Sequence, residues 1–362
     1  MATDPAALFR LALLATALAA LPLGAWLLRS RGAPPRHRLA MLTGLTLFLT
    51  FDLIVFGVFT RLSDAGLGCP DWPGCYGEAS PLAARAEIHA EQALRPDGPV
   101  TWGKAWIEMV HRYLAMAVGL LITVGALAAW RHRRVLPHSP AWATLTLGWV
   151  VLQGLFGRYT VTLKLYPAIV TLHLLGAMVL LALLAWQRAS IDAGRARRLR
   201  PGRPALAVAA LVALSVQVAL GGWVSTNYAV LACQGFPTCN GQWWPPGDWT
   251  QGFTLLRELG RAGHGGFLSH EALVAIHWTH RLFALAAFSL LGWLAWRLWP
   301  EAAWRRHGAL LTLLLLAQLA TGLSNVVLQW PLVGALLHSA GAALMVALVV
   351  DVLARHRVAR WG

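Results

Sequence analysis

Residues 106–130 read WIEMVHRYLAMAVGLLITVGALAAW. Glu108, His111 and Arg112 stand together at the start, and no further charged side chain follows before Arg131. A helix needs about 20 apolar residues to cross a bilayer, so the remainder reads as a membrane span. A span that only sits in lipid gains nothing from an acid, an imidazole and a guanidinium in its first turns. Ionisable groups inside a membrane cost about 2.5–3.5 kcal/mol on insertion scales and usually mark function. The fold is therefore read from the apolar run, and the chemistry from the turn that opens it.

The rest of the chain repeats this character. Of 362 residues 57% are hydrophobic and 12% charged, with a mean hydropathy of +0.57. That composition is a polytopic membrane protein's, with the lipid bilayer as its main surroundings. The formal net charge of +15 raises nucleic acid as a partner, but a nucleic-acid binder gathers its basic residues on a folded polar surface. Here they fall in short stretches between apolar runs, which excludes that class. Nine runs are long enough to span: roughly 7–28, 38–61, 105–130, 140–162, 166–187, 204–225, 272–296, 308–329 and 331–354. The first reads as an uncleaved anchor, because Asp4 precedes its only arginine, Arg10, and no small-residue cleavage site precedes Arg29.

Loop charge sets the orientation. Arg29, Arg31, Arg36 and Arg38; Arg131, Arg133 and Arg134; the six arginines from Arg188 to Arg203; Arg297, Arg305 and Arg306; and Arg355, Arg357 and Arg360 hold 19 of the 30 basic residues. These stretches alternate along the chain as a cytoplasmic face requires. The C-terminus is expected inside. The two long loops, about 62–103 and 226–271, are expected outside, and the N-terminus too if 7–28 spans.

Those outer loops carry a duplication. CPDWPGCYG (69–77) and CQGFPTCNG (233–241) are both C-x5-C, so the step from Cys69 to Cys233 equals that from Cys75 to Cys239. The helices after them match as EMVHR (108–112) and HWTHR (277–281), which pairs His111 with His280. The spacing from Gln153 to His173 is the same as that from Gln318 to His338, and Gly157 and Gly322 stand at +4 from each Gln. Both stretches then carry H-x-x-G, ending at Gly176 and Gly341. Four spans per repeat bring both repeats into the membrane the same way, related by an axis along its normal. The expected fold is all-α: two pseudo-symmetric four-helix transmembrane bundles plus one extra N-terminal helix. The segments are 1–37 (extra helix and basic loop), 38–190 (first unit) and 191–362 (second unit).

All four repeated histidines sit in the outer third of inward-running helices, roughly 10 Å below the surface at about 1.5 Å per residue. Each unit offers one from its second helix and one from its fourth. Buried histidines hydrogen-bonded across helices are the plain alternative. Two imidazoles facing across a four-helix bundle also suit bis-axial haem ligation. A bare metal ion generally takes three or four protein ligands, and each unit has two matched histidines. Arg112 and Arg281 follow the histidines of the second helices and fit haem propionates, or snorkel to headgroups. The other histidines (His37, His89, His132, His138, His264, His270, His307, His356) read as solvated.

The repeats differ at one telling position. Three residues before the histidine stands Glu108 in the first unit and His277 in the second. Residues three apart share a helix face, so Glu108 is placed for proton relay or general-base work. Its alternative is an i,i+4 pair with Arg112. This asymmetry suggests one catalytic and one supporting unit. The four cysteines allow three pairings. Closure within each loop is the simplest, as a staple or as a redox-active pair.

The stretches RLSDAGLGCPDWPGCYG, EMVHRYLAMAVG, TLHLLGAMVL, HWTHRLFALAA and LLHSAGAAL, covering about 38–354, resemble the haem A synthase family. The resemblance implies an eight-helix core of two halves, and oxidation of a methyl group of haem O to a formyl group with water as the oxygen source. It implies haem b as cofactor on His280 and His338, the substrate haem on His111 and His173, and Glu108 as the essential acid. Cys69 and Cys75 would form a disulfide concerned with electron or haem transfer; a second pair, here Cys233 and Cys239, occurs in part of the family. A haem O synthase, cytochrome oxidase assembly factors and an unidentified electron acceptor are the implied partners. The implied location is the bacterial inner membrane with periplasmic Cys loops. The extra N-terminal helix departs from the family pattern. A two-haem cytochrome that only passes electrons explains the histidines equally well, but not the Glu/His difference. A transporter of parallel repeats predicts broken helices at mid-membrane.

Overall fold

The computed structural model describes residues 5–192, 200, 203–263 and 265–361, with the side chains at 358, 360 and 361 outside that description. Asp4, Arg195, Arg197, Arg198 and His264 lie outside it, as does the Arg360 side chain. The described residues form helices joined by irregular loops: α1 (Pro5–Arg29), α2 (Pro35–Leu62), α3 (Arg85–Leu94), α4 (Trp102–Arg131), α5 (Ala141–Thr162), α6 (Pro167–Ile191), α7 (Arg203–Thr226), α8 (Trp249–Gly252), α9 (His270–Leu298), α10 (Arg305–Val327) and α11 (Leu332–Trp361). Eight of the long ones are apolar enough to cross a membrane. The chain is thus an all-α polytopic membrane protein.

The expectation of nine apolar spans is corrected to eight. The run at 140–162 does form a helix, α5, but α5 is not among the eight. Gln153 and Arg158, with Thr144, Thr146 and two tryptophans, dilute its aliphatic residues. The first run does form a helix of membrane length, α1. Leu11 on it packs in a cluster with Cys69, Cys75 and Met109. Near its other end Trp26 Nε1 donates to Arg38 O at 2.9 Å. So α1 starts beside the first Cys loop and ends beside the start of α2, running in the same direction as α4. Its buried face is Ala7, Leu11, Ala15 and Ala19, an i,i+4 row of mostly small residues of the kind that lets membrane helices approach closely.

The chain groups into two compact units. One comprises Met1–Leu165 with Leu183–Asp192, the other Tyr166–Ala182 with Ala193–Gly362. In the first, α4 packs against α1, α2, α3 and α5, and α1 also meets α2. In the second, α7 packs on α9, α9 on α10, α10 on α11, and α11 back on α7, with α8 against α9.

Local structure repeats where the sequence does. Thr101 caps α4 by accepting from Lys104 N, and Ser269 caps α9 by accepting from Ala272 N. A capping oxygen satisfies one of the orphan amides of a helix start. Ahead of each helix a glutamine carbonyl, Gln92 or Gln251, accepts the amide of Trp102 or Ser269. Both Cys loops close on an antiparallel bridge, Cys75 with Glu78 and Cys239 with Gln242. Tyr76 and Asn240, each directly after the second cysteine of its loop, both adopt positive φ. At the opposite face Arg36 donates twice to Ile191 O, at 2.9 and 2.7 Å, tying the start of α2 to the end of α6.

Two histidines read as solvated are not. His307 lies in the first turn of α10, edge-on to the buried Trp304, and its Nε2 meets Asp351 Oδ2 at 3.0 Å. The helix begins two residues before it, which turns it onto α11 rather than into a loop. His138 is half-buried and lines a cavity in the first unit.

Candidate functional site

α4 carries its charged turn into the Cys loop. Glu108 Oε1 accepts from Arg112 Nη2 at 2.5 Å, and Glu108 Oε2 accepts from Cys69 N at 2.8 Å. Arg112 Nη1 donates to Asp71 O at 2.8 Å, to Pro73 O at 3.3 Å and to Gly74 O. Both side chains are buried, at 5% and 9% exposure. Asp71 then turns back on its own loop, accepting from Tyr76 N and Gly77 N at 2.6 Å each. The disulfide Cys69–Cys75 closes this loop, and Tyr113 Oη fixes its exit by donating to Ala79 O at 2.7 Å.

The second unit reproduces the clamp with different chemistry. Arg281 donates through Nη1 to Gly235 O at 2.8 Å and Thr238 O at 3.2 Å, and through Nη2 to Cys233 O at 2.5 Å. Cys233–Cys239 closes that loop. Where Arg112 meets Glu108, Arg281 Nε meets His277 Nε2 at 3.2 Å. Guanidinium is only a donor, so Nε2 accepts and the proton sits on His277 Nδ1, which faces Ala229 O at 3.1 Å. The repeated arginines thus spend donors on their Cys loops, and the Glu/His difference is a difference in what accepts from them.

The histidines predicted as ligands are seated by glycines. A Cβ on Gly57 of α2 would stand 2.9 Å from His111 Nε2; on Gly221 of α7, 3.0 Å from His280 Cε1; on Gly322 of α10, 3.1 Å from His338 Cε1. Real Cβ atoms rarely come that close, so each imidazole uses room only glycine leaves. Phe56 stacks on His111 at 6.4 Å between ring centroids and 8° between planes. Sequence reasoning missed Gly57 and Gly221, although the same step that relates the cysteines of the two loops relates them.

In the second unit His280 and His338 lie close enough to interact electrostatically. Thr321 Oγ1 stands 3.1 Å from His338 Nδ1 while donating its one proton to Ala317 O at 2.7 Å. It therefore accepts from His338 Nδ1–H, which leaves the Nε2 lone pair for a metal. Histidine ligands nearly always have their other nitrogen held this way. Gln318 Nε2 adds a bond to His338 O at 2.7 Å. His280 has Gln217, also missed from sequence, whose amide nitrogen lies 3.2 Å from its Nδ1 and 3.1 Å from its carbonyl. The first pair is not brought together within one unit: His111 belongs to the first, and His173 to the Tyr166–Ala182 stretch of the second. His173 Nδ1 is buried without a hydrogen-bond partner.

Among the described residues no group of three or more His, Cys, Asp or Glu side chains could hold a bare metal ion. His280 and His338 are each glycine-backed and in contact through a ring nitrogen, with Gln217 and Thr321; two such histidines from separate helices could hold the iron of a flat macrocycle from its two faces. Fold and site define a multi-pass helical membrane protein built to present such histidines beneath disulfide-closed loops. The chain belongs to the cytochrome oxidase assembly protein family, whose model matches residues 40–350. It is 39% identical over 323 residues to the haem A synthase of Shewanella oneidensis, covering 87% of this chain and 96% of that one. It is 30% identical over 381 residues to the haem A synthase of Cereibacter sphaeroides, covering 94% and 92%. With that of Rhizorhabdus wittichii the figures are 29% over 350 residues, 87% and 93%.

Proposed function

We propose that this protein is a haem A synthase: an oxidoreductase that converts a methyl group of haem O to the formyl group of haem A. Methyl and one water give formyl, four protons and four electrons, the electrons leaving to an acceptor outside the chain. The observation that carries the reading is the histidine constellation, glycine-backed at His111, His280 and His338, in a chain whose relatives named haem A synthase align along nearly its whole length.

The segments 38–190 and 191–362 are the two repeats, pseudo-symmetric four-helix bundles, with 1–37 added ahead of them. His280 and His338 would hold haem b, and His111 and His173 the substrate haem. Haem b, when bound, supplies a one-electron carrier. Glu108, one turn before His111, is the proposed base and holds or passes the protons released from the methyl group. The Cys69 amide and Arg112 fix its two oxygens, so the carboxylate does not swing. Arg112 and Arg281 remain the proposed partners of haem propionates, in competition with the loop carbonyls they hold. The disulfides are proposed to keep the outer mouths in shape or to pass electrons. The location is the bacterial inner membrane, with the C-terminus cytoplasmic and the Cys loops periplasmic. A haem O synthase and oxidase assembly factors are the proposed neighbours.

The test is pigment extraction from wild-type protein and Glu108→Ala made in cells that supply haem O, with haems separated by chromatography. Haem A or its hydroxylated precursor in wild type, depleted in the variant, is expected. Haem b alone in both would overturn the synthase in favour of an electron-transfer cytochrome.

A further inference from the structure

The two repeats differ in how their cytoplasmic halves are filled. In the first unit a cavity of about 30 Å³ lies among α2, α4, α5 and the end of α6. Its wall includes Thr46, Ile122, Gly125, Ala129, Thr146 and Leu184. Gly125 borders open space: a Cβ there would meet nothing within 4 Å. Two of the hydroxyls in the wall are already used. Thr46 Oγ1 donates to Leu42 O at 2.9 Å, and Thr146 Oγ1 donates to Trp142 O and accepts from Gln187 Nε2 at 2.7 Å. The rest of the wall is mostly aliphatic, with Thr43, Gln187 and His138 as its other polar members.

The second repeat carries Leu294, Leu298 and Leu311 at the positions of Gly125, Ala129 and Thr146. All three are at most 1% exposed, and Trp304, just ahead of α10, is fully buried beside them in sequence. Ala207 and Ala210 stand for Thr43 and Thr46 on α7, so the helix packed against α9 carries smaller residues there. Space kept in one repeat is occupied in the other.

The cavity also lies in register with His111. On α4, Val118, Ile122, Gly125 and Ala129 follow His111 at +7, +11, +14 and +18, one helix face. On α2, Thr46 lies three turns before Gly57, the residue backing His111. Ile122 to Ala129 therefore lie about 16–27 Å further along α4 than His111, at about 1.5 Å per residue.

We propose that this cavity receives the isoprenoid tail of haem O, an inference that rests on the synthase reading above. Haem O differs from haem b in carrying a hydroxyethylfarnesyl chain where haem b has a vinyl group. Such a chain reaches on the order of 15 Å beyond the ring, given carbon–carbon bonds of about 1.5 Å, and this brings its branched end to the cavity's near wall. The unit that takes the tailed haem keeps the space, and the unit that takes the tail-less one fills it with leucine.

The experiment puts the second repeat's residue into the first, as Gly125→Leu, with Gly119→Leu as a control off that face. Resident haem b in the second unit, read by its absorption band, reports that each variant folds. Purified proteins with that site filled are titrated with haem O and, separately, with haem b. We expect haem O binding weakened at least ten-fold in the filled variant, haem b binding unchanged, and the control like wild type. Equal haem O binding in all proteins, or equal loss of both haems, would overturn the tail site. Wild type that binds haem O but makes no haem A would overturn the synthase reading instead, and the binding comparison would still decide the tail.

Discussion

Arg112→Met is the sharpest probe of the clamp over the first site. The substitution keeps most of the aliphatic stem and removes every donor. Three loop carbonyls, those of Asp71, Pro73 and Gly74, lose a charged partner, and Glu108 keeps only backbone amides, that of Cys69 among them. Breaking a buried ion pair from one side costs about 3–5 kcal/mol, because the remaining charge stays desolvated. With both partners at most 9% exposed, the single variant should lose on the order of 3–5 kcal/mol. Glu108→Gln should cost less, since the amide oxygen still accepts from Cys69 N. The double variant should be less destabilised than the sum of the two, by about 1 kcal/mol or more, as groups in one network couple by about 0.5–3 kcal/mol. The assay is a double-mutant cycle on denaturant unfolding in detergent, followed through iodoacetamide trapping of Cys69 and Cys75 under mild reductant. Additive effects, or an Arg112→Met cost below about 1 kcal/mol against the expected range, would refute the clamp and leave Arg112 free for a propionate.

Three further outcomes follow from the geometry. Thr321→Val removes the acceptor for His338 Nδ1–H, so haem b affinity should fall about 10–100-fold, as for lost partners of metal-bound histidines; Thr321→Ser should restore it, and a haem titration showing no change would contradict the tautomer assigned to His338. Gly221→Val drives a side chain into His280 and should abolish the haem b band, whereas Gly24→Val, with nothing within 4 Å of its Cβ, should not. His138, in the loop between α4 and α5, is held below its ordinary 6.5 by burial, which penalises the charged ring. The unfolded chain therefore binds the extra proton first, and stability should fall as pH drops through 6.5. His138→Asn should flatten the slope of melting temperature against pH on either side of that value; an unchanged slope would mean that another group carries it.

The helices and the duplication were legible because both are periodic signals: apolar runs of membrane length, and rare residues at a fixed offset. The four repeated histidines were legible for the same reason. What escaped were residues whose meaning is a neighbour rather than a pattern. Gly57 and Gly221 look like ordinary membrane glycines until a Cβ is placed on them, although the cysteine offset links them. Gln217 has no counterpart in the first repeat, where Leu53 stands, so no repetition announced it. His307 read as a loop residue because the start of α10 is decided by Trp304 burying itself, a tertiary event. The carbonyl contacts of Arg112 escaped for a similar reason: the sequence shows a cation near an imidazole, but only the fold of CPDWPGCYG turns three carbonyls towards it.

Duplicated scaffolds make their differences informative, since whatever the fold alone requires is present twice. Both repeats keep the disulfide, the arginine clamp and the glycine behind the second helix's histidine, so these belong to the shared scaffold that seats that histidine. Three features occur once: an acid in place of His277, a leucine in place of Gln217, and space in place of Leu294 and Leu298. An acid matters only where protons are released. Gln217 contacts His280 and belongs where the macrocycle must stay put rather than exchange. The space matters only for a ligand longer than its ring. Each difference fits the proposed function, with turnover in the first repeat and retention in the second. Exchanging residues singly should therefore separate the properties: Gln217→Leu should speed haem b loss without touching substrate choice, measured as haem transfer to apomyoglobin. A Gln217→Leu protein that kept its haem b as wild type does would break the link between that contact and retention.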